Sequence, residues 1–574
     1  MNRKKWRPDA DRRVREDSDS SDFRRLPGVT GGLETTFKVL ATTKNEAAIH
    51  VLIAGLEMPD RAVQADALRA LVDRRSAAGH RELLRRWPSF GERWKAIVAE
   101  RAGRISGAVR DAILGADADL RVNGCDAAQW TRDFDLIPVL IAAAEDRSNP
   151  QADLASQSLL SLSECLGEEL AAPRDYRIRR DPQTVRRCVM RSLEKSVLHF
   201  EQHKRAEIVE AFLLLVRRQN TILRRILQSP HDKAYLAIVN LLTHSPRPGV
   251  MRLLTDFLED PRTLTTIQNV LARRRDVPFL RHLLKRVSGD LTANVKANVR
   301  RIDSFVWLRD DLAILSALND DDQTGAVQLT LASGMDRLRA FEVLKFILQH
   351  GGSEARLAAA QALAQFRGVE ANELLLSVLT DDDPRIQAIS VQGLRERGIP
   401  GAMNMLLDLV DSPHEPVRRS ARACLTEFRF ARFLETFDML EEEVRRNAGE
   451  LVKRVDANAV AALLDELRAV SRSRRRRGVE MAAAMGAVAE VEDELIKLLG
   501  DKDPFVRAEA MRALAGHNSP RTRRALRELL LDQNVVVRRT AERVLQSFAT
   551  GLLSANNDEA ASCDGSESVQ GVDP

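Results

Sequence analysis

Apolar residues recur along the C-terminal half of the chain with the spacing of one face of an α-helix. The segments DPFVRAEAMRAL (503–514) and NVVVRRTAERVL (534–545) share the pattern V-R-x-x-A-x-x-x-L. Their anchor valines, Val506 and Val537, are 31 positions apart. Because offsets of four residues place side chains on one helical face, each segment is predicted to be an amphipathic helix.

The same pattern repeats along much of the chain. A second run in the same register starts at Ala355, Ile386 and Val417, again in steps of 31 residues. Weaker copies begin at Val63, Trp94, Leu120, Ala152 and Val185. A fixed period of this length indicates a repeat array in which each unit is one small supersecondary structure.

Each repeat is predicted to be a helix, a short turn and a second helix. The turns read DDDP (381–384), DSPHEP (411–416) and DKDP (501–504), with proline where the second helix starts and aspartate in position to cap it. One helix pair cannot bury its own apolar faces, so neighbouring repeats must stack. The predicted fold is therefore all-α, an α-solenoid of stacked antiparallel helix pairs with repeats of about 31 residues.

The motif D-x-D-P-x-V-R-x-x-A-x-x-x-L in 501–514 resembles HEAT repeats, in particular the short bacterial, bilin-lyase-type units. The resemblance is specific over residues 346–551 and weaker elsewhere. In that family the turn aspartate and the arginine that opens the second helix form a ladder between successive repeats. The resemblance therefore implies this ladder role for Arg356, Arg418, Arg445, Arg476, Arg507, Arg538, Asp501 and Asp532.

Composition agrees with a helical core and narrows the class of protein. Hydrophobic residues make up 44% of the chain but aromatic residues only 4%, so the core must be built mainly of Leu, Val, Ile and Ala. The five cysteines are scattered without a CxxC pair, which favours a reducing compartment. No apolar run of membrane-spanning length occurs and the N-terminus has no apolar stretch, so we expect a soluble, cytoplasmic protein without a membrane contact.

The net charge of +5 hides a segregation of charge along the chain. Residues 173–310 hold 28 basic and 14 acidic residues, a balance of +14. Together with the repeat pattern, this divides the chain into five predicted segments. They are a disordered charged segment (1–28), N-terminal repeats (29–172), a basic irregular helical segment (173–345), regular repeats (346–551) and an acidic disordered tail (552–574).

Two groups of basic residues are candidates for binding a polyanion or an acidic partner. The first lies in LARRRDVPFLRHLLKR (271–286), where positions 274, 281 and 285 are spaced to share a helical face. The second lies in SRSRRRRGV (471–479). In this repeat, Val470 occupies the position where the ladder aspartate is expected, so three arginines have no assigned partner. The candidate residues are Arg273, Arg274, Arg275, Arg281, Lys285, Arg286, Arg474, Arg475 and Arg477.

The sequence offers little catalytic chemistry. It contains no phosphate-binding loop, dinucleotide fingerprint, nucleophile elbow or HExxH motif. HFEQH (199–203) has two histidines four apart, but Glu201 does not directly follow the first histidine as a zinc protease requires. The single His414-Glu415 pair is too few for the di-iron site of HEAT-like hydroxylases. We therefore predict no catalytic residue, no cofactor and no metal, and a protein that is not an enzyme.

Two functions remain open. The first is a non-enzymatic scaffold that binds one or more proteins along an extended solenoid surface. The second is nucleic-acid or other polyanion binding through residues 173–310, as in HEAT-like DNA-repair proteins. The tryptophans that could stack on bases, such as Trp87 and Trp307, are equally consistent with core positions. The sequence specifies neither the partner nor the oligomeric state.

Overall fold

The turn chemistry predicted for the repeats sets where the second helices begin. Asp383 and Asp503 are N-cap residues whose side chains accept hydrogen bonds from the N–H groups of Arg385 and Phe505, each at 2.8 Å. Pro384 and Pro504 are the first residues of their helices, where a missing N–H costs nothing. The capped turn therefore starts the helix at a defined residue in these repeats.

A computed structural model describes residues 30–173, 181–289 and 291–548 of the chain. The predicted terminal segments 1–28 and 552–574 lie outside the described residues. These described residues form α-helices, short 3-10 segments and turns, and they contain no β-strand. The prediction of an all-α fold is confirmed. The chain divides into two compact units, residues 1–311 with 332–335 and residues 312–331 with 336–574.

The first unit holds nineteen of the described helices, most of them one helix of a stacked pair. They are α1 (Thr30–Thr42), α2 (Ala47–Leu56), α3 (Arg61–Asp73), α4 (Ala77–Arg85), α5 (Glu92–Ala99), α6 (Ser106–Leu114), α7 (Ala118–Thr131), α8 (Ile137–Glu145), α9 (Ala152–Ala171), α10 (Pro182–Leu198), α11 (Phe200–His203), α12 (Ala206–Leu215), α13 (Thr221–Gln228), α14 (Tyr235–His244), α15 (Pro248–Asp256), α16 (Thr265–Arg273), α17 (Val277–Val287), α18 (Ala293–Val299) and α19 (Val306–Asp310). The long helix α9 packs against α7, α8 and α12, and α12 also packs against α10, α14 and α15. The core of this unit therefore runs continuously through consecutive helices.

The second unit holds fourteen of the described helices, α20 to α33. They are α20 (Asp320–Ala332), α21 (Arg337–His350), α22 (Ser353–Leu363), α23 (Val369–Val378), α24 (Pro384–Glu396), α25 (Ala402–Leu409), α26 (Glu415–Cys424), α27 (Phe430–Thr436), α28 (Glu442–Val455), α29 (Ala459–Leu467), α30 (Arg472–Ala484), α31 (Glu492–Leu498), α32 (Pro504–Leu514) and α33 (Pro520–Glu528). Residues 535–548 form a further helical stretch that reaches the end of the described residues.

Two layers of helices are visible in the second unit. The second helices of successive repeats pack side by side, as in the series α28, α30 and α32. The first helices do the same in the series α27, α29, α31 and α33. The anchors Val506 and Val537 are buried between the layers, as the repeat pattern predicts. This arrangement is the solenoid of stacked helix pairs.

Gly449 marks the closest approach of two second helices. A Cβ atom at this position of α28 would lie 2.5 Å from the carbonyl oxygen of Ala484 at the end of α30. Because this neighbour is backbone, it cannot move aside as a flexible side chain could. Only glycine fits at this contact, so α28 and α30 pack with their backbones nearly touching.

Candidate interaction surfaces

The arginine run is the start of α30, and acidic side chains surround it. Arg474 donates to both carboxylate oxygens of Glu466, at 2.6 and 3.1 Å. Arg477 lies 3.5 Å from Asp438 and 3.8 Å from the buried Glu466. The expectation that Arg474, Arg475 and Arg477 carry uncompensated charge is wrong, because Glu466 of α29 and the turn residues Asp438 and Asp501 supply the acids.

Arg475, and not Arg476, takes the ladder position in this repeat. Arg475 binds Asp501 of the next turn with Nε at 2.7 Å and Nη2 at 3.0 Å. Its Nη1 also donates to the carbonyl oxygens of Ala469 and Val470 in its own turn. Arg476 instead projects outward and pairs at 3.2 Å with Glu480, one helical turn further on. The predicted register is therefore displaced by one residue in α30, and Ala469 rather than Val470 stands at the acid position.

Some of the predicted ladder arginines bind an acid of the next turn, and others do not. Arg507 binds Asp532 of the next turn, with Nη2 at 3.1 Å from the carboxylate, and its Nη1 donates to the Asp501 carbonyl oxygen. Arg356 also reaches an acid of the next turn, and its Nη1 donates to Asp381 at 2.9 Å. These side chains join successive turns of the second unit.

Two predicted ladder residues are used differently. Arg418 binds Glu415 at 2.6 Å within its own helix, together with the carbonyl oxygen of Ser412. Arg445 donates to the carbonyl oxygen of Phe437 and stacks over its ring, 4.6 Å from the centroid. Both arginines brace their own turn, and in the described residues neither reaches an acid of the following one.

The basic group near α16 and α17 is split by the fold. Arg274 is only 1% exposed, and its guanidinium donates to the carbonyl oxygens of Leu242 and Ser245 and to Asp276. The prediction that Arg274 shares an exposed helical face with Arg281 and Lys285 is wrong, because it lies between the two helices and faces inward. Its role is to hold carbonyl groups of the preceding repeat.

The other members of this basic group lie at or near the surface. Arg273, Arg275, Arg281 and Lys285 are exposed, whereas Arg286 is partly buried and paired with Glu259. Trp87 and Trp307 are buried, so neither can present a face to a nucleic-acid base. What remains is a small basic patch, which we define as Arg273, Arg275, Arg281 and Lys285.

The last four described turns between paired helices of the second unit expose apolar side chains, which sequence reasoning largely missed. Val470 is fully exposed, Leu531 is 89% exposed, Met439 is 86% exposed and Phe505 is 67% exposed. Each lies in or beside the turn between two helices of a repeat. We call these four residues the turn ridge. A signal was present in the sequence, since the turn between α23 and α24 carries polar residues such as Asp382.

Ion pairs between the turns show that members of the ridge are neighbours. Arg472, two residues after Val470, lies 3.3 Å from Asp503, two residues before Phe505. Arg507 and Asp532 connect the turn of Phe505 to the turn that holds Leu531. The turns that carry Val470, Phe505 and Leu531 are therefore neighbours in the second unit.

A polar cavity of about 510 Å³ lies between α8, α10 and α11. Its wall includes Glu145, Ser196, His199 and His203, and Ser196 donates its hydroxyl proton to Glu145. The grouping of Ser196, His203 and Glu145 is similar to a catalytic triad, but its hydrogen bonds differ. His203 Nδ1 accepts from the Arg205 N–H at 3.0 Å, so its proton lies on Nε2 and points at the Ser196 carbonyl oxygen. His203 in this tautomer cannot take a proton from the serine.

The two histidines of HFEQH do not share one helix. His199 lies between α10 and α11, and His203 is the last residue of the four-residue helix α11. Within the described residues, no group of three His, Cys, Asp or Glu side chains is arranged to hold a metal ion. None of the helices described is both long enough and apolar enough to span a bilayer.

Comparison with known proteins identifies the repeats by sequence. Residues 341–426 and 460–546 match the family model described as HEAT repeats. No curated protein matches the chain. Among solved structures, an engineered protein matches at 22% identity over 37% of this chain and 97% of its own, with a TM-score of 0.16.

Two natural proteins of known structure cover more of the chain at lower identity. Karyopherin Kap121p matches at 13% identity over 90% of this chain, with a TM-score of 0.25, and the match spans 53% of its own length. Importin beta matches at 13% identity over 90% of this chain and 82% of its own, with a TM-score of 0.25.

Proposed function

Residues 341–426 and 460–546 are HEAT repeats, and we propose on that basis that the chain is a non-enzymatic scaffold that binds another protein along its repeats. The observation that supports this most directly is the turn ridge. Its four apolar side chains are held out from consecutive turns of a well-packed unit and contribute nothing to the core. Removing such side chains from water on binding is favourable by about 25 cal/mol per Å² of apolar area.

The chemistry of the ridge indicates what kind of partner fits. Val470 is followed by Arg472, whose side chain is exposed although it lies near Asp503. Lys502 lies beside Phe505 and is also exposed. Alternating apolar and basic groups suit a protein segment that presents apolar side chains next to acidic ones.

A capture experiment tests this proposal. The full chain and the double variant V470S/F505S are used as bait in native cell extract, with and without nuclease. V369D is the matched control, because Val369 is also an exposed apolar residue of the same unit but lies away from the ridge at the start of α23. We expect a protein that is retained by the wild type and V369D, resists nuclease and is lost with V470S/F505S. Equal retention by all three baits would contradict the proposal.

Polyanion binding is the second candidate, and the observation that favours it is the basic patch on a strongly basic stretch of chain. Its test is the salt dependence of binding to a DNA duplex. Each phosphate contact contributes about −0.9 to the slope of log K against log salt concentration. The variant R273Q/R275Q/K285Q is therefore expected to flatten this slope. The control R419Q/R446Q, which removes exposed arginines of the second unit, is expected to leave it unchanged.

The two candidates give opposite results in these assays. A nuclease-resistant partner lost with V470S/F505S supports the scaffold. If all captured material were nuclease-sensitive, and the DNA slope depended on Arg273, Arg275 and Lys285, polyanion binding would be the better assignment.

A further inference from the structure

The polar cavity of the first unit has two walls, and each wall is one face of a helix. Helix α8 contributes positions 138, 141, 142 and 145, and α10 contributes positions 192, 195, 196 and 199. Both sets follow the i, i+3, i+4, i+7 spacing that places side chains on one helical face. The cavity therefore lies in the groove between two packed helices. Its volume of about 510 Å³ falls in the range of small-molecule sites, roughly 300–1,000 Å³.

Hydrogen bonds fix the end of this groove where α8 and α10 finish. Arg147, in the turn after α8, donates to the carbonyl oxygen of Gln202 in α11. Ser196 of α10 donates to Glu145 of α8, and His203 Nε2 donates to the Ser196 carbonyl oxygen at 3.1 Å. These bonds join all three helices without any ligand. The shape of the cavity is therefore set before anything binds, as in most small-molecule sites.

Two positively charged side chains of the lining have no carboxylate partner. Lys195 is exposed, and its ammonium group forms no ion pair with the described residues. Arg147 uses one nitrogen for the Gln202 carbonyl oxygen and likewise forms no ion pair within those ranges. Glu145 is the acid of this lining, and its carboxylate already accepts the Ser196 hydroxyl proton. Two positive charges thus accompany one negative charge, and the cavity favours an anionic ligand.

The kind of cation in the lining indicates which anion fits best. Lysine and arginine side chains donate hydrogen bonds without accepting any, and both are common ligands of phosphate. A phosphate monoester carries about −1.5 to −2 charges at pH 7 and presents three acceptor oxygens. A carboxylate carries a single charge and has fewer oxygens. Because Lys195 and Arg147 together supply two charges and several donors, a phosphate monoester matches them better than a carboxylate does.

The remaining lining is apolar and leaves room for the organic group of such an ester. Pro138, Ile141 and Ala142 form this part of the α8 wall. We propose that the cavity binds a small phosphate monoester, with its phosphate at Lys195 and Arg147 and its organic group against the apolar part of α8. This site belongs to the first unit and is independent of the turn ridge, so its failure would leave the scaffold proposal standing.

Titration calorimetry of the full chain with phenyl phosphate tests the proposal. Three related probes each lack one feature of this monoester. Phenol has no phosphate, methyl phenyl phosphate is a diester with a single charge, and inorganic phosphate has no organic group. We expect phenyl phosphate to bind at least about tenfold more tightly than any of the three, because only it combines the charge with an apolar group.

Matched variants separate the cavity from other binding sites. K195Q is expected to weaken phenyl phosphate binding by about tenfold or more, because it removes a charged donor. The Lys195 side chain makes no bond to the described residues, so this loss cannot come from unfolding. K296Q is the control, since Lys296 is an exposed lysine of the first unit in α18, and it is expected to leave binding unchanged. A142F narrows the groove at an exposed position of α8 and is expected to weaken binding as well.

Several results would overturn the proposal. They are the absence of saturable binding of phenyl phosphate, equal binding of phenol, and binding to K195Q as tight as to the wild type. Tighter binding of a phosphoserine peptide than of phenyl phosphate would also overturn it, because the site would then belong to a phosphorylated protein and not to a small molecule.

Discussion

Arg475 donates hydrogen bonds to both carboxylate oxygens of Asp501 across the boundary between two repeats, from Nε at 2.7 Å and from Nη2 at 3.0 Å. The carboxylate of Asp501 is 7% exposed and the Arg475 side chain is 17% exposed, so water screens this pair only weakly. Its neighbour Arg476 makes a single contact with Glu480 at the surface. Arg475 is therefore expected to contribute more to the stability of the fold than Arg476.

R475Q is expected to lower the free energy of unfolding by about 1–3 kcal/mol, because it leaves the buried Asp501 without its charged partner. R476Q is the matched control and is expected to change it by less than about 0.5 kcal/mol. Urea unfolding followed by circular dichroism measures both. Equal effects of R475Q and R476Q would contradict the assignment of Arg475 to the ladder.

The same pair predicts a pH dependence. Burial acts to raise the pKa of the Asp501 carboxyl, but hydrogen bonds from Arg475 and from the Asp503 N–H, with the charge of Arg507, leave this pKa below its usual value. A carboxyl whose pKa is lower in the folded chain stabilises the fold above the unfolded value of about 3.9. That contribution is lost as the pH falls through the lower, folded-state pKa.

D501N isolates this contribution from the other carboxyls of the chain. We expect the difference in free energy of unfolding between the wild type and D501N to be constant above about pH 5 and to shrink below about pH 4. Urea unfolding at a series of pH values measures the difference. A difference that stays constant down to pH 3 would show that the ionised Asp501 carboxylate is not stabilised by its partners in the folded chain.

Two helical glycines face backbone carbonyls at different distances. A Cβ at Gly449 would lie 2.5 Å from the Ala484 oxygen, whereas a Cβ at Gly167 in α9 would lie 3.7 Å from the Leu214 oxygen. G449A is expected to destabilise the chain by about 1–3 kcal/mol through overpacking. G167A is expected to stabilise it by about 0.5–1 kcal/mol, because alanine loses less backbone entropy in a helix. Thermal unfolding compares the two, and equal shifts would argue against the close approach of α28 and α30.

Arg274 and Arg273 are neighbours in sequence with opposite environments. R274M leaves the carbonyl oxygens of Leu242 and Ser245 without their donor, and it is expected to cost about 1–3 kcal/mol for each buried group left unpaired. R273M changes an exposed residue and is expected to cost less than about 0.5 kcal/mol. Chemical denaturation of both variants checks this, and a mild effect of R274M would mean that its guanidinium is dispensable to the fold.

Much of the fold follows from the sequence, because period and turn chemistry are local signals. The buried Val506 and Val537, the caps Asp383 and Asp503, and the helix starts at Pro384 and Pro504 could all be predicted. The ladder register at α30 could not. Counting back 31 residues from Arg507 gives Arg476, and counting back 32 gives Arg475. The sequence alone therefore does not show which of these two arginines takes the ladder position.

The candidate surfaces were harder to predict than the fold. Arg274 appears exposed on a helical wheel, and only the carbonyl groups of residues about thirty positions earlier reveal why it is buried. The repeat register assigned no acid to Arg474 and Arg477, yet folding brings Glu466 to both. Charge balance in a repeat protein is set between repeats, so counting along the chain cannot show it.

The interrupted ladder also has a mechanical consequence. Where Arg475 and Arg507 bind an aspartate of the following turn, these ion pairs resist a stretching force along the second unit together with the packed helices. Arg418 and Arg445 bind only within their own turns, and the link between α28 and the turn before α26 is made instead by Arg454, which binds Asp411 at 2.7 Å. Because this pair is more exposed to water than the pairs Arg475–Asp501 and Arg507–Asp532, the second unit should extend under tension near α26 and α28 before it extends between Arg475 and Asp532.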